Sequence, residues 1–304
     1  MFRTLYRIRP AGWGLLAGAL GVVVVPAVLQ LTGVIGNSFA AYVLTPLLSL
    51  SLALTTRLVL GGQRDRMRHK SERALIIGSV MAIWFVGYFL SGLAVTFAHN
   101  AVASSWAAVG LNVLAFGTAA AAIEYVRHGI MLLAGRRNVL WIGIIVSIVF
   151  ACTQIGLVQI MDIHTSIDFV KFGVSVLVPA IASSMLLTYL AFNAGLGPQL
   201  TYRLGLVAIL FLPPIIPRYD WYLIGIVWLI LSVAVYIAID RTRRDLAING
   251  RHYRRAKRAY DVMFLVVVIA LALFMVGAFA SEPQVIMSNS MKPVFSRGSM
   301  VIVQ

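Results

Sequence analysis

The sequence predicts an all-α polytopic membrane protein of about nine transmembrane helices, followed by the start of a small β-rich domain. Three observations predict it. Hydrophobic residues make up 61% of the 304-residue chain and charged residues 12%, more apolar surface than a soluble core would bury. The apolar residues form continuous runs as long as a bilayer crossing, not the alternation of a barrel strand. The 25 Lys and Arg residues, against 10 Asp and Glu, gather in the connections between alternate runs.

In chain order the runs lie at 11 to 33, 39 to 60, 74 to 97, 105 to 126, 139 to 161, 169 to 193, 201 to 217, 221 to 239 and 260 to 280. They divide the chain into a multi-helix membrane domain at 1–259, a last transmembrane helix at 260–280 acting as anchor, and a terminal fragment at 281–304. The seventh run carries Pro213, Pro214 and Pro217. Proline fixes φ and lacks an N–H, so a short or re-entrant segment is expected there. No internal repeat stands out, and nothing in the chain mirrors the 211 to 217 stretch. The first run is too long for a cleavable leader and lacks a small-residue cleavage site. Cys152 is the only cysteine, which excludes an internal disulfide and a Cys-based metal site.

Charge placement sets the expected orientation. With nine alternating crossings, all basic residues except Lys171, Arg218, Lys292 and Arg297 fall on one side. The positive-inside rule then puts the N-terminus in the cytoplasm of a multi-pass cell-membrane protein and the C-terminal stretch on the extracytoplasmic side. The densest basic segment, 241 to 258, reads as topogenic charge beside anionic headgroups. It lacks interleaved aromatics and a binding fold, so nucleic acid is not an expected partner.

Within the runs, Glu124 and Arg127 are three apart on one helix face and are expected to form an interfacial ion pair near the cytoplasmic boundary rather than a proton relay. Asn112, Gln154 and Gln159 are expected to be interhelical hydrogen-bond partners. His69, His99, His128, His164 and His252 share no metal-ligand spacing and no carboxylate cluster joins them, so neither metal nor cofactor is expected. Trp141, Tyr219, Trp221, Tyr222 and Tyr260 read as membrane-boundary anchors.

Past the last run the text changes character. Ser288-Asn289-Ser290-Met291-Lys292-Pro293 is followed by Gly298, with short β-prone runs at 285–287 and 300–303. Ser290 lies about ten residues beyond the last helix, within about 33 Å of chain, and so near the outer surface. A signal peptide presents its cleavage site at that surface, after its apolar segment.

This stretch resembles the opening motif of type I signal peptidases, Ser-Gly-Ser-Met-x-Pro, then Gly-Asp and an apolar strand. The resemblance covers about twenty residues; residues 1 to 260 are not recognised. It implies that Ser290 is the nucleophile and that Ser288 contributes to the oxyanion hole, with Met291, Pro293 and Gly298 as motif support. It also implies that signal-peptide-bearing preproteins are the substrates, in contact with the lipid bilayer. A serine hydroxyl is a weak nucleophile without a base and oxyanion donors, and the Ser288 hydroxyl and Ser290 N–H are suitable donors.

The departures are Asn289 in place of Gly, Lys292 where archaeal and eukaryotic members often have Glu, and Ser299 in place of Asp. The family's base, a lysine or histidine on a later strand, does not occur before Gln304. The expectation is therefore a base supplied by a missing C-terminal segment or a second chain, with Lys292, His99 and His164 as alternatives. The alternative function is a non-enzymatic polytopic protein, transporter or scaffold, carrying a degenerate peptidase remnant.

Overall fold

A computed structural model describes residues 10–63, 67, 69–134, 139–244, 282–285 and 300–303. Its helices are α1 Pro10–Leu31, α2 Asn37–Leu60, α3 Lys70–Val95, α4 Trp106–Leu133, α5 Val139–Cys152, the short α6 Leu157–Met161, α7 Ser166–Asn193, α8 Leu196–Phe211 and α9 Trp221–Arg244. Six of them (α1, α2, α3, α4, α7 and α9) are long and apolar enough to cross a membrane, and α5 and α8 are shorter apolar helices. The expected ninth run, 260 to 280, lies outside the described residues.

The prolines explain where the expected boundaries move. Pro46 and Pro179 each sit inside a long helix, just past a π turn, Ala40–Leu44 in α2 and Gly173–Leu177 in α7. A proline offers no N–H to the carbonyl four residues back, and the wider turn lets the helix pass that gap. At Pro213 and Pro214 there is no such accommodation. The seventh segment ends as a helix at Phe211, and Ile215–Pro217 becomes a strand, β2. The fifth segment is not one helix either, because it breaks into turns at Thr153–Gly156, between α5 and α6.

Strand β1, Phe97–His99, pairs antiparallel with β2, with Ala98 opposite Ile216. Asn100 fastens this ladder, its Nδ2 donating to the carbonyls of Leu210 and Pro213. The connections after α3 and after α8 therefore lie at one end of the bundle, the ladder end. At the other end Arg73, in the first turn of α3, donates from Nη1 to the Asn193 carbonyl at the close of α7, 2.7 Å away. Arg57 and Arg241 also belong to this basic end, near the close of α2 and of α9.

The element order contradicts the expectation of no internal repeat. A helix, a long helix with a π turn and proline, a third helix, a three-residue strand and a closing helix occur twice: α1, α2, α3, β1, α4, then α5, α7, α8, β2, α9. The mirror of the 211 to 217 stretch is Phe97–His99. It was invisible in sequence because it has no prolines.

Candidate functional site

The residues of the serine stretch, Ser288, Ser290, Met291, Lys292, Pro293 and Gly298, lie outside the described residues. On either side of them Glu282–Val285 (β3) pairs antiparallel with Met300–Val303 (β4), from Glu282 opposite Val303 to Val285 opposite Met300. The second strand falls where the β-prone run is expected. The first starts earlier than expected, at Glu282. It includes Pro283, which is tolerated near the start of a strand.

The densest polar site among the described residues lies inside the helix bundle. Glu124 and Arg127 do form the expected ion pair, with Arg127 Nε 3.0 Å from Glu124 Oε2, but the pair is not interfacial. Their side chains are 1% and 0% exposed. Glu124 lies nine residues before the end of α4, about 13 Å along the helix axis. The expectation failed because α4 continues to Leu133 and the neighbouring helices close over the pair.

Those helices supply partners for the charges they cover. From α8, Gln199 Nε2 donates to the Glu124 carboxylate at 2.6 Å and to its backbone carbonyl at 3.1 Å. Arg203 Nε lies 4.0 Å from Glu124 Oε1, so one carboxylate faces two guanidinium groups. From α7, the Ser184 carbonyl accepts from Arg127 Nη1 at 2.6 Å, and the Ser184 and Thr188 hydroxyl oxygens lie 3.1 and 3.2 Å from it. From α5, Ser147 donates to Thr188 Oγ1 and its carbonyl accepts from Ser184 Oγ. The Phe150 ring lies under the Arg127 guanidinium, 4.6 Å from ring centre to Cζ. Four helices are thus tied together through one arginine and one glutamate, the arrangement a buried charge requires.

The remaining expected polar residues divide. Asn112 is interhelical, accepting from Tyr42 Oη of α2 at 2.7 Å. Gln154 accepts from Arg203 Nη1 of α8 at 3.1 Å, but from the turn after α5 rather than from a helix. Gln159 is not interhelical: its Oε1 accepts from the Gly156 N–H within the same connection, because the chain turns there instead of continuing as helix. His69 contacts Glu72 at 3.1 Å, His99 lies in β1, and His128 is buried in α4. Among the described residues no three His, Cys, Asp or Glu side chains converge as a metal site.

Trp141 is 64% exposed near the start of α5, as a boundary residue would be. Tyr219, by contrast, is engaged within the bundle, its hydroxyl hydrogen-bonded to Ser91 Oγ. His252 and Tyr260 lie outside the described residues. Sequence reasoning missed Ser147, Ser184, Thr188 and Gln199 as partners of the charge pair. Ser and Thr are common in membrane helices, and no spacing within one helix singles these out.

Fold and buried site together describe a helical bundle joined by polar contacts, six of whose helices are long and apolar enough to cross a membrane, as a multi-pass membrane protein requires. Comparison of the chain with protein-family models, with curated proteins and with solved structures finds no match.

Proposed function

We propose that this chain is a membrane-bound serine endopeptidase that removes signal peptides from exported preproteins. The observation that carries the reading is the stretch Ser288-Asn289-Ser290-Met291-Lys292-Pro293, placed directly after the apolar run at 260 to 280. The pairing of β3 with β4 supports it, since it joins the chain on both sides of the stretch in a β ladder. On this reading the run at 260 to 280 is a ninth crossing, the basic end faces the cytoplasm and Ser290 lies on the extracytoplasmic side.

Ser290 Oγ attacks the scissile carbonyl carbon while a base takes its proton. The Ser288 hydroxyl and the Ser290 N–H donate to the oxyanion. The protonated base then delivers the proton to the departing amine, and water releases the acyl group from Ser290. Lys292, two residues away in sequence, is one candidate for the base. A lysine or histidine from outside residues 281–304 is the other, as in the resembling family.

The test is processing of a preprotein in membranes containing the chain, beside its Ser290→Ala version. Loss of processing with Ser290→Ala is expected. Equal processing by both versions overturns the assignment of Ser290.

A second reading, a transporter or scaffold carrying a peptidase remnant, is favoured by a specific observation. The two π turns with their prolines occupy corresponding positions in the two halves of the bundle. Interrupted helices in corresponding positions are what transporter repeats show. No processing by either version, from membranes in which the chain is present and folded, favours this second reading.

A further inference from the structure

The repeated element order extends to the residues themselves. Displaced by 133 positions, Val43, Leu44, Pro46, Ser51, Leu54, Thr55 and Gly62 meet Val176, Leu177, Pro179, Ser184, Leu187, Thr188 and Gly195, identical at each place. The closing helices begin alike, with Trp106 and Gly110 matching Trp221 and Gly225 at a displacement of 115. Further along, at a displacement of 116, each carries an acid three residues before an arginine, Glu124-x-x-Arg127 and Asp240-x-x-Arg243.

Part of the packing, at the seam between the halves, obeys the same exchange. Helix α4 of the first half packs on α8 of the second, and α9 of the second packs on α3 of the first. Helices α3 and α8 pack on each other, and β1 pairs with β2 about Ala98 and Ile216. Such reciprocity, in which i touches j and j's equivalent touches i's, is the signature of an isologous contact. Each half has four main helices, an even number; if all four of each cross a membrane, both halves run in the same sense and are related by an axis along its normal.

We propose that residues 10–133 and 139–244 are two copies of one four-helix unit, and that their interface is a surface made to receive a second copy of that unit. On this proposal each closing helix presents its acidic residue to the third helix of the other copy: Glu124 to Arg203 within the bundle, and Asp240 to the turn at 70–73 toward the basic end. The first pairing is the 4.0 Å approach described above. For the second, Asp240 is 5% exposed and its Oδ1 lies 3.4 Å from Tyr189 Oη. Arg73 donates to the carbonyl of Asn193, one helical turn further along α7. Acid and base are thus brought to adjacent turns of one helix.

Charge exchange in the full-length protein tests this. Thermal midpoints are measured for Glu124→Lys, Arg203→Asp and the two together, then for Asp240→Lys alone and combined with Lys70→Asp or with Arg73→Asp. Each single reversal is expected to lower the midpoint. The exchanged pairs are expected to recover half or more of the loss, for Asp240 with at least one of its two partners. Recovery for Glu124 with none for Asp240, or recovery for neither, overturns the proposal. If the reversed chains do not accumulate, Glu124→Gln and Asp240→Asn decide on folded protein. Both are expected to lower the midpoint, and an unchanged midpoint for Asp240→Asn overturns the equivalence.

Discussion

Helices α2 and α7 begin from closely related sequences and end in different places. Both pass a π turn and a proline, and both carry Ser, then Thr four residues later, at matched positions. In α2 these hydroxyls serve their own helix: Ser51 Oγ donates to the Leu48 carbonyl and Thr55 Oγ1 to the Ser51 carbonyl, and both residues are exposed. In α7, Ser184 donates across to α5, and Ser184 and Thr188 face the Arg127 guanidinium. Of the apolar window of α7, 72% is buried inside the bundle, against 22% for α2. The same local pattern makes a helix on the bundle surface in one half and the centre of the bundle in the other. What differs is whether a charge on a neighbouring helix has to be covered.

Removing that charge gives the largest expected effect. Arg127→Leu leaves Glu124 buried beside the more distant Arg203 and should cost about 3–5 kcal/mol. Reversible unfolding of the purified protein in detergent measures it. Arg57→Leu, at the exposed end of α2, should cost less than about 1 kcal/mol in the same assay. Equal losses would show that the asymmetry between the helices has another source.

The matched glycines come next. A Cβ on Gly225 would overlap the Val174 carbonyl oxygen in the π turn of α7, whereas one on Gly110 would meet open space. Gly225→Ala should therefore cost about 1–3 kcal/mol through backbone displacement. Gly110→Ala should be neutral or stabilising by up to about 1 kcal/mol, since alanine is the better helix former. If both are neutral, α7 and α9 are packed less tightly than described.

The smallest effect belongs to the matched threonines. Thr188→Val removes an oxygen that faces Arg127 and accepts from Ser147, and about 1–2 kcal/mol should be lost. Thr55→Val removes only a bond to its own helix in an exposed position and should stay within about 0.5 kcal/mol. A difference between the two below about 0.5 kcal/mol would mean that the hydroxyls around Arg127 contribute little to holding it.

The fold's legibility followed the length of each apolar run. Eight of the runs mark where helices occur, because a run of that length leaves the backbone no other way to satisfy its polar groups in lipid. The boundaries were harder. Helix α4 runs on through Glu124-Tyr125-Val126-Arg127, whose charges look like an end but pair with each other and are covered by groups from neighbouring helices. Helix α8 starts earlier than its apolar run, at Leu196, since Gly195 at φ +95° turns the chain directly out of α7.

The ion pair itself was readable from the three-residue spacing. Its burial was not, because Gln199, Arg203 and Ser184 approach from 57 or more residues away. The repeat escaped notice because its halves share turn chemistry and scattered small residues rather than a contiguous motif. It becomes legible once the two π turns fix the displacement.

Helices α5 and α8 have 14 and 16 residues, so at 1.5 Å per residue they are about 21 and 24 Å long. A typical hydrocarbon core is about 30 Å thick. Ile148 of α5 and Leu204 and Leu210 of α8 are exposed on the bundle surface, and Gln154, just beyond α5, hydrogen-bonds to Arg203 of α8. These two helices are therefore shorter than the membrane they would occupy. Around their exposed faces the two leaflets would draw together, or water and headgroups would follow the helix ends inward. Lipids with short acyl chains would fit these helices with the least distortion, so bilayer thickness becomes a variable that acts on them more than on the six longer ones.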